Sequence, residues 1–227
     1  MMSRAYDLIV FDWDGTLMDS AAQIVRCFER AFADVGVASP GEPAIRHIIG
    51  LGLAEAIAAL LPQADDATRA AVSARYKQYF LSLDADELPL FPGVRAGLEA
   101  LLARGHLLAV ATGKSRRGLD RVLGHTGLAH LFVATRCADE AFSKPHPRML
   151  EDILDSTGMR SDQSIMVGDT TYDLVMARSI GMHGLAVSYG VHRREQLLAE
   201  APIGCCDSFD EVHAWLQTPP SVKAARS

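Results

Sequence analysis

The sequence predicts an α/β protein that contains a parallel β-sheet with helices on both faces and an all-helical insertion. Two observations predict this architecture. From about residue 91 onward, short apolar runs alternate with amphipathic stretches of helical periodicity, and such alternation is typical of a parallel sheet covered by helices. Residues 17–90 instead carry apolar residues at helical spacing and no convincing strand. We therefore expect one strand, then the insertion, then the rest of the sheet.

The individual elements follow from these patterns in chain order. The first strand is the apolar run Leu8–Phe11, and the first helix spans about 20–36 because its periodicity stops at Gly36. Two short helices are predicted within 43–61, separated at Gly50-Leu51-Gly52, and a longer helix over about 65–83. The remaining helices are predicted over 94–104, 115–123, 147–158, 171–180 and 209–216, and the remaining strands over 107–111, 131–134, 164–167, 185–187 and 203–206.

A proline-rich linker marks the end of the insertion. Leu88–Gly93 contains two prolines and a glycine, which indicates a connection back to a separate unit. The predicted core comprises residues 1–16 and 91–217, and the predicted helical insertion comprises residues 17–90. Residues 218–227 are polar and include two prolines, so we expect them to be disordered.

Composition and charge narrow the possible classes of protein. A chain of 227 residues, 49% of them hydrophobic, can form a packed core with an inserted unit. The net charge of -6 argues against binding to nucleic acid or to anionic membranes. No apolar stretch approaches the roughly 20 residues of a membrane helix, and we expect no signal peptide. The four cysteines show no zinc-ligand spacing. Together with the expected absence of a signal peptide and a membrane helix, this fits a reducing cytoplasm. A monomer is the default expectation, and a homodimer remains open.

Polar residues follow four of the predicted strands. They are Asp12 and Asp14 after the first strand, Thr112, Gly113 and Lys114 after the second, Lys144 after the third, and Asp169 and Asp173 after the fourth. Each group alone could form a turn or a helix cap. Four such groups in succession are harder to explain in this way. Because the carboxyl ends of parallel strands lie at one edge of a sheet, we expect these side chains to converge in a ligand site.

The order of these motifs resembles a known family. DxDGT, then Thr-Gly, then a lysine before proline, then GDxxxD resemble the motifs of the haloacid dehalogenase superfamily of phosphotransferases, over residues 6–216. The helical insertion directly after the first motif is similar to that of the phosphoglycolate-phosphatase-like members. The resemblance implies a Rossmann-like parallel sheet with an inserted all-helical cap domain. Trp13 departs from the smaller apolar residue often found between the two acids, and we expect its bulk to shape the site entrance.

The resemblance also implies a role for each catalytic residue. Asp12 is the implied nucleophile, which forms an aspartyl-phosphate. Asp14 is the implied acid and base, which protonates the leaving oxygen and later takes a proton from water. Thr112 and the Gly113 amide are implied phosphate ligands, and Lys144 is implied to balance charge on both nucleophile and phosphate.

A magnesium site is expected beside these groups. A phosphomonoester dianion repels a carboxylate nucleophile, so the attack needs a cation that neutralises this repulsion. Mg²⁺ prefers oxygen ligands and keeps several of its waters. The resemblance implies that Asp12 and Asp169 supply carboxylates, that Asp14 supplies its backbone carbonyl, and that Asp173 ligates the ion or orients a metal-bound water.

Two sets of residues are open to more than one interpretation. Lys114 is either a solvated lysine at a helix start or a phosphate ligand. Arg46 and His47 are either solvated surface residues or substrate-selecting residues of the cap, together with the loop Gly50–Gly52.

Several functions remain compatible with the motifs. The leading hypothesis is a phosphomonoesterase that acts on a small phosphorylated metabolite, with phosphoglycolate as the family's default substrate. A phosphosugar mutase of the β-phosphoglucomutase type is an alternative, although such mutases often carry valine where this chain has Thr16. A metal-free dehalogenase is disfavoured because it has no use for both Asp14 and Asp169. A non-catalytic binding protein with the same fold is the remaining alternative.

Overall fold

Six parallel strands form a single sheet in the part of the chain that the structure describes. The computed structural model describes residues 5–84 and 88–217, so the predicted disordered tail 218–227 lies outside the described residues. The strands are β1 (Leu8–Phe11), β2 (Leu107–Thr112), β3 (Ala134–Cys137), β4 (Ser164–Gly168), β5 (His183–Val187) and β6 (Gly204–Cys206). Their spatial order is β3-β2-β1-β4-β5-β6.

Ten α-helices accompany the sheet within the described residues. They are α1 (Ala21–Val35), α2 (Glu42–His47), α3 (Leu53–Leu60), α4 (Asp66–Ser82), α5 (Val94–Ala103), α6 (Arg116–Thr126), α7 (Arg148–Thr157), α8 (Thr171–Ser179), α9 (Arg194–Ala199) and α10 (Phe209–Gln217). None of the helices in the described ranges is both long and apolar enough to cross a bilayer.

Helices cover both faces of the sheet, as the sequence predicts. Ile9 and Phe11 of β1 belong to an apolar cluster that includes residues of α5, α6 and α10. Leu8 and Val10 face the opposite side and pack with residues of α7 and α8. Because both faces of a central strand are buried in this arrangement, its residues are apolar without alternation. The predicted α/β class is therefore confirmed.

The strand order places one crevice at the centre of the sheet. Strand β1 pairs with β2 on one side and with β4 on the other, and Phe11 lies level with both Val110 and Val167. The chain builds β2 and β3 on one side of β1 and then crosses to β4 on the other side. Ligands bind at the carboxyl ends of strands where the strand order reverses in this way. The residues that follow β1, β2 and β4 therefore meet at this crevice.

The stretch between β1 and α5 is helical. Helix α1 packs along α4, where the rings of Phe28 and Tyr76 lie 4.3 Å apart. The two chain segments that enter and leave this stretch run side by side, because the Asp19 amide donates to the Pro89 carbonyl and the Phe91 amide donates to that of Leu17. The limits of a cap domain at residues 17–90 stay a prediction.

Two elements differ from the sequence prediction. The sequence predicts the third strand over 131–134, but the strand spans Ala134–Cys137, because Ala129–Leu131 forms a 3-10 turn that buries Leu131. Helix α9 was not predicted, since Leu197 is its only buried residue and the apolar periodicity is correspondingly weak. The other elements lie within about three residues of the expected limits.

Candidate active site

Three buried side chains form a charge cluster at the end of β1. Asp12 directly follows this strand, and its amide donates to the Val167 carbonyl of β4. The ammonium of Lys144, from the loop between β3 and α7, lies 2.8 Å from Asp12 Oδ1 and 2.7 Å from Asp173 Oδ1. Burial alone lowers the pKa of Lys144, but the charges of Asp12 and Asp173 outweigh it and hold that pKa above its usual value. Lys144 therefore remains a cation.

The first turn of α8 holds Asp173 in position. Thr170 caps this helix, and its hydroxyl and amide both donate to Asp173 Oδ2, at 2.7 and 3.2 Å. This reciprocal cap uses one carboxylate oxygen. The other oxygen, Oδ1, is left to face Lys144 and the end of β1.

Asp169 is fixed by neighbouring loops on both of its oxygens. Thr16 donates to Oδ1 at 2.8 Å, and the Val191 amide donates to Oδ2 at 2.9 Å. Gly15 lies against the same carboxylate, since a Cβ built at this glycine would come 2.2 Å from Asp169 Oδ2. Its φ of +83° is also a value that residues with a side chain rarely adopt. The Gly-Thr of the first motif thus positions the acid of the fourth.

The carboxylates of Asp12, Asp169 and Asp173 fit a divalent cation. Ligand atoms of these three residues lie within 4.8 Å of one another, and all three residues are buried. Asp12 Oδ2 is buried and accepts no hydrogen bond from the described residues. Hard oxygen donors of this type suit Mg²⁺. If all three carboxyl groups are ionised, the single ammonium of Lys144 leaves an excess of negative charge.

Burial raises the pKa of two of these three acids. Burial raises the pKa of Asp12 well above its usual range, and the charges of Asp173 and Asp169 add to the rise against the opposing effect of Lys144. Burial also raises the pKa of Asp169 to about 7, with a further contribution from the charge of Asp173. A cation among these groups would favour their ionised forms.

Asp14 is held in a different environment from Asp12. Lys114 Nζ lies 2.9 and 3.0 Å from its two oxygens, and the Ser20 hydroxyl donates to Oδ1 at 2.6 Å. The Lys114 side chain is buried and its ammonium lies 4.3 Å from the centre of the Phe80 ring. The interpretation of Lys114 as a solvated helix-start lysine is therefore wrong. A phosphate contact by Lys114 stays a prediction.

Thr112 and Gly113 lie at the end of β2, beside the charge cluster. Thr112 is fully buried, and its Oγ1 accepts a hydrogen bond from the Lys114 amide at 3.2 Å. Gly113 lies beneath the loop that joins α2 and α3, because a Cβ at this position would come 2.4 Å from the Leu51 carbonyl and 2.5 Å from that of Gly50. Only glycine allows this close approach of two backbones.

Residues 47–52, which we term the docking segment, contact three of the strand-end loops. The Gly52 amide donates to Ser143 Oγ at 2.7 Å, next to Lys144 in the chain. The His47 carbonyl accepts from Tyr172 Oη at 3.0 Å and lies 3.0 Å from His192 Nε2. These hydrogen bonds hold the docking segment against the edge of the sheet that carries the buried acids.

The structure does not bring Arg46 and His47 into the cavity above this edge. Arg46 is partly exposed and pairs with Glu42 of the same helix at 2.7 Å. The His47 ring stacks on His192 with 4.9 Å between ring centres. Residues 48–52 do line the cavity. Selection of substrate by Arg46 and His47 stays a prediction, without a contact to the cavity in support of it.

A cavity of about 520 Å³ opens directly above Asp12 and Asp14. Its walls come from the docking segment, from α1, α3 and α4, and from the start of α6. Trp13 is not among its lining residues: this side chain is fully buried, donates to Met18 Sδ at 3.2 Å and packs against Phe132. The expectation that Trp13 shapes the entrance is wrong, because the indole fills the core below the loop.

Sequence reasoning missed several side chains that position these acids. Ser20 stands at the N-terminal cap of α1, where serine usually bonds helix amides, but it bonds Asp14 instead. No sequence pattern indicates a role for His192, although its Nδ1 accepts a hydrogen bond from the Thr171 amide at 3.1 Å, at the start of α8. Ser20 and Lys114 lie close to Asp14 because of tertiary packing, which no sequence pattern indicates. Among these positioning residues, only Thr16 stands inside a recognisable motif, and it bonds Asp169.

Known proteins resemble this chain over most of its length. A family model described as "Haloacid dehalogenase-like hydrolase" matches residues 9–187. The chain is 38% identical over 210 residues to a Dickeya dadantii protein named "Probable phosphatase IndB", covering 90% of this chain and 91% of that protein. It is 33% identical over 220 residues to a phosphoglycolate phosphatase of Rhodospirillum rubrum, with 93% and 91% covered.

A solved structure agrees with these sequence matches. The crystal structure of a "predicted phosphoglycolate phosphatase" from Haemophilus somnus superimposes with a TM-score of 0.81 at 26% identity, covering 93% of this chain and 98% of that one. The residues matched by the family model include all of the buried acids described above.

Proposed function

Because the chain belongs to the family of haloacid dehalogenase-like hydrolases, and relatives over nine-tenths of its length are phosphatases, we propose that it is a Mg²⁺-dependent phosphomonoesterase. Its substrate is a small phosphorylated metabolite, and an aspartyl-phosphate is the intermediate. The observation that carries the proposal is the pairing of a buried Asp12, whose Oδ2 accepts no hydrogen bond from the described residues, with a cavity that begins at this residue.

The first half-reaction transfers the phosphoryl group to Asp12. A carboxylate oxygen of Asp12 forms a bond to phosphorus while the bond from phosphorus to the alcohol oxygen breaks. Asp14 gives its proton to that leaving oxygen. Lys144, the Thr112 hydroxyl and the Gly113 amide bind the phosphoryl oxygens and balance their charge.

The second half-reaction releases phosphate. Asp14, now ionised, takes a proton from a water molecule that attacks the phosphorus, and the bond to Asp12 breaks. The docking segment limits the access of bulk water to the same edge during transfer. Its bonds to Ser143 and Tyr172 are the contacts that hold it closed.

Mg²⁺ would be held by the carboxylates of Asp12 and Asp169 and the backbone carbonyl of Asp14, with Asp173 as a direct ligand or as the residue that orients a metal-bound water. When bound, the ion neutralises charge between the phosphate and the nucleophile. The excess of buried carboxylates over ammonium groups supports this assignment.

Removal of Mg²⁺ is expected to abolish activity and to lower thermal stability. EDTA stops phosphate release from an aryl phosphate, and excess Mg²⁺ restores it. At a concentration about 100-fold above its Kd, Mg²⁺ adds about 2.7 kcal/mol of stability, or a rise in Tm of about 5–10 °C for a chain of this size. Scanning fluorimetry with and without Mg²⁺ measures this rise.

A carboxylate variant identifies the site of that stabilisation. Asp169→Asn is expected to lose most of the Mg²⁺-dependent rise in Tm, whereas Asp155→Asn, an exposed acid of α7, retains it. Activity that survives EDTA contradicts the metal dependence. If Mg²⁺ raises the Tm of Asp169→Asn as much as that of the wild type, the ion binds at another site.

Lys114 is expected to act as a positioning residue for Asp14. Lys114→Met leaves Asp14 with Ser20 as its remaining side-chain donor among the described contacts. We expect kcat to fall by about 10–100-fold, because small misplacements of a catalytic group cost up to about 10²-fold. Ser20→Ala removes only a neutral donor, so its effect on kcat is expected to be smaller. Steady-state kinetics of both variants test this order, and an unchanged kcat in Lys114→Met contradicts it.

A further inference from the structure

The cavity above Asp14 lies where the leaving alcohol of the proposed reaction emerges. Asp12 and Asp14 form its floor, while Lys144, Asp169 and Asp173 are absent from its lining. The phosphoryl group therefore belongs to the buried floor, and the remainder of the substrate extends into the cavity. The shape and chemistry of the cavity walls therefore indicate which alcohol the substrate contains. This step rests on the proposed function.

The cavity is large for a short hydroxy acid. Its volume is about 520 Å³, within the range of about 300–1,000 Å³ that is usual for pockets enclosing ligands much larger than a two-carbon acid. The two-carbon alcohol that phosphoglycolate releases would occupy a small part of this space. Pockets fit their ligands by burying most of the ligand surface, so the volume points to a bulkier leaving group.

Aromatic side chains line the cavity close to Asp14, beside the Lys114 ammonium that pairs with this acid. Phe28 of α1 and Tyr76 and Phe80 of α4 line one side, with Tyr76 between the other two rings at centre distances of 4.3 and 5.8 Å. Ile48 and Leu51 of the docking segment add further apolar lining. Such walls favour a ring or a branched hydrocarbon over a polar chain.

The charges in the cavity leave no buried cation for a second anionic group. Within the described residues, the lining cations are Lys77, Lys114 and Arg117. Lys114 is buried but its ammonium is occupied by Asp14. Lys77 and Arg117 are exposed, so they lie towards solvent. A carboxylate close to the ester oxygen would be buried among apolar groups without a free partner, which is unfavourable.

We propose that the substrate is the phosphomonoester of a bulky alcohol whose part next to the ester oxygen is uncharged and apolar or aromatic. Burial of this part among Phe28, Tyr76, Phe80 and the docking segment provides the specificity. A charged group is accepted only at the far end of the substrate, near Lys77 and Arg117.

Three primary alkyl phosphates of similar leaving-group chemistry test the proposal. With wild-type enzyme and Mg²⁺, kcat/KM for 2-phenylethyl phosphate is expected to exceed that for ethyl phosphate and for phosphoglycolate by about tenfold or more, since apolar pocket contacts discriminate on this scale. Values for 2-phenylethyl phosphate at or below those of the other two overturn the proposal. If the enzyme hydrolyses none of the three esters, the proposed function is overturned instead.

A matched pair of tyrosine variants locates the selectivity. Tyr76→Ala opens the aromatic wall, and the ratio of kcat/KM for 2-phenylethyl phosphate to that for ethyl phosphate is expected to fall by about fivefold or more. Tyr79→Ala changes the same helix outside the cavity lining, so it is expected to keep the ratio. Melting curves verify that each variant is folded. An unchanged ratio in folded Tyr76→Ala overturns the assignment of this wall.

Discussion

Asp12→Asn is expected to lower kcat by about 10⁴-fold or more, because loss of a nucleophile removes the covalent route entirely. The amide keeps the volume of the carboxylate but cannot attack phosphorus. Lys144 retains Asp173 as an ionic partner at 2.7 Å, so the fold is expected to survive the change. Phosphate release at saturating substrate measures the effect.

The control for this prediction is an aspartate remote from the cavity. Asp155→Asn lies on α7, is exposed, and is expected to keep wild-type kcat. Wild-type enzyme quenched in acid during turnover is expected to yield a phosphorylated peptide that contains Asp12. The Asp12→Asn protein is expected to yield no such peptide. Turnover by Asp12→Asn near the wild-type rate would rule out an aspartyl-phosphate at this residue.

The fold was predictable because its signals are local. Apolar runs such as Leu8–Phe11 and Ser164–Gly168 are strands buried on both faces, and this burial leaves a continuous hydrophobic pattern. Where a turn competed for the same apolar residues, as at Leu131, the pattern gave the wrong limits by three residues. Helix α9 buries a single residue and therefore carries almost no periodic signal.

The candidate site was predictable at the level of its acids but not of their partners. Asp12 and Asp169 stand at strand ends, and a parallel sheet brings the carboxyl ends of its strands together independently of the conformation of the loops. The pairing of Lys114 with Asp14 requires the start of α6 to lie beside the first loop, 100 residues away in the chain. The docking of residues 47–52 onto Gly113 and Ser143 likewise depends on packing across the insertion, which no local pattern encodes.

Lys144→Met is expected to affect stability and activity together. It removes the ammonium that lies between Asp12 and Asp173 and leaves two buried carboxyl groups whose charges repel each other. Breaking a buried ion pair in this way costs about 3–5 kcal/mol, which corresponds to a fall in Tm of about 6–20 °C for this chain length. We also expect kcat to fall by about 10²–10³-fold, because the phosphoryl group loses a preorganised cation.

A second substitution separates these two consequences. Asp173→Asn in the Lys144→Met background removes one of the repelling charges, and its amide oxygen still accepts from Thr170. The double variant is therefore expected to regain much of the lost Tm, a non-additivity that a double-mutant cycle with the Asp173→Asn single variant measures. Its kcat is expected to stay low, because Asp173 also belongs to the proposed Mg²⁺ site. If the double variant melts no higher than Lys144→Met, charge repulsion is not what the lysine relieves. If it recovers activity, Lys144 serves the fold and not the phosphoryl group, since only the structural defect has been repaired.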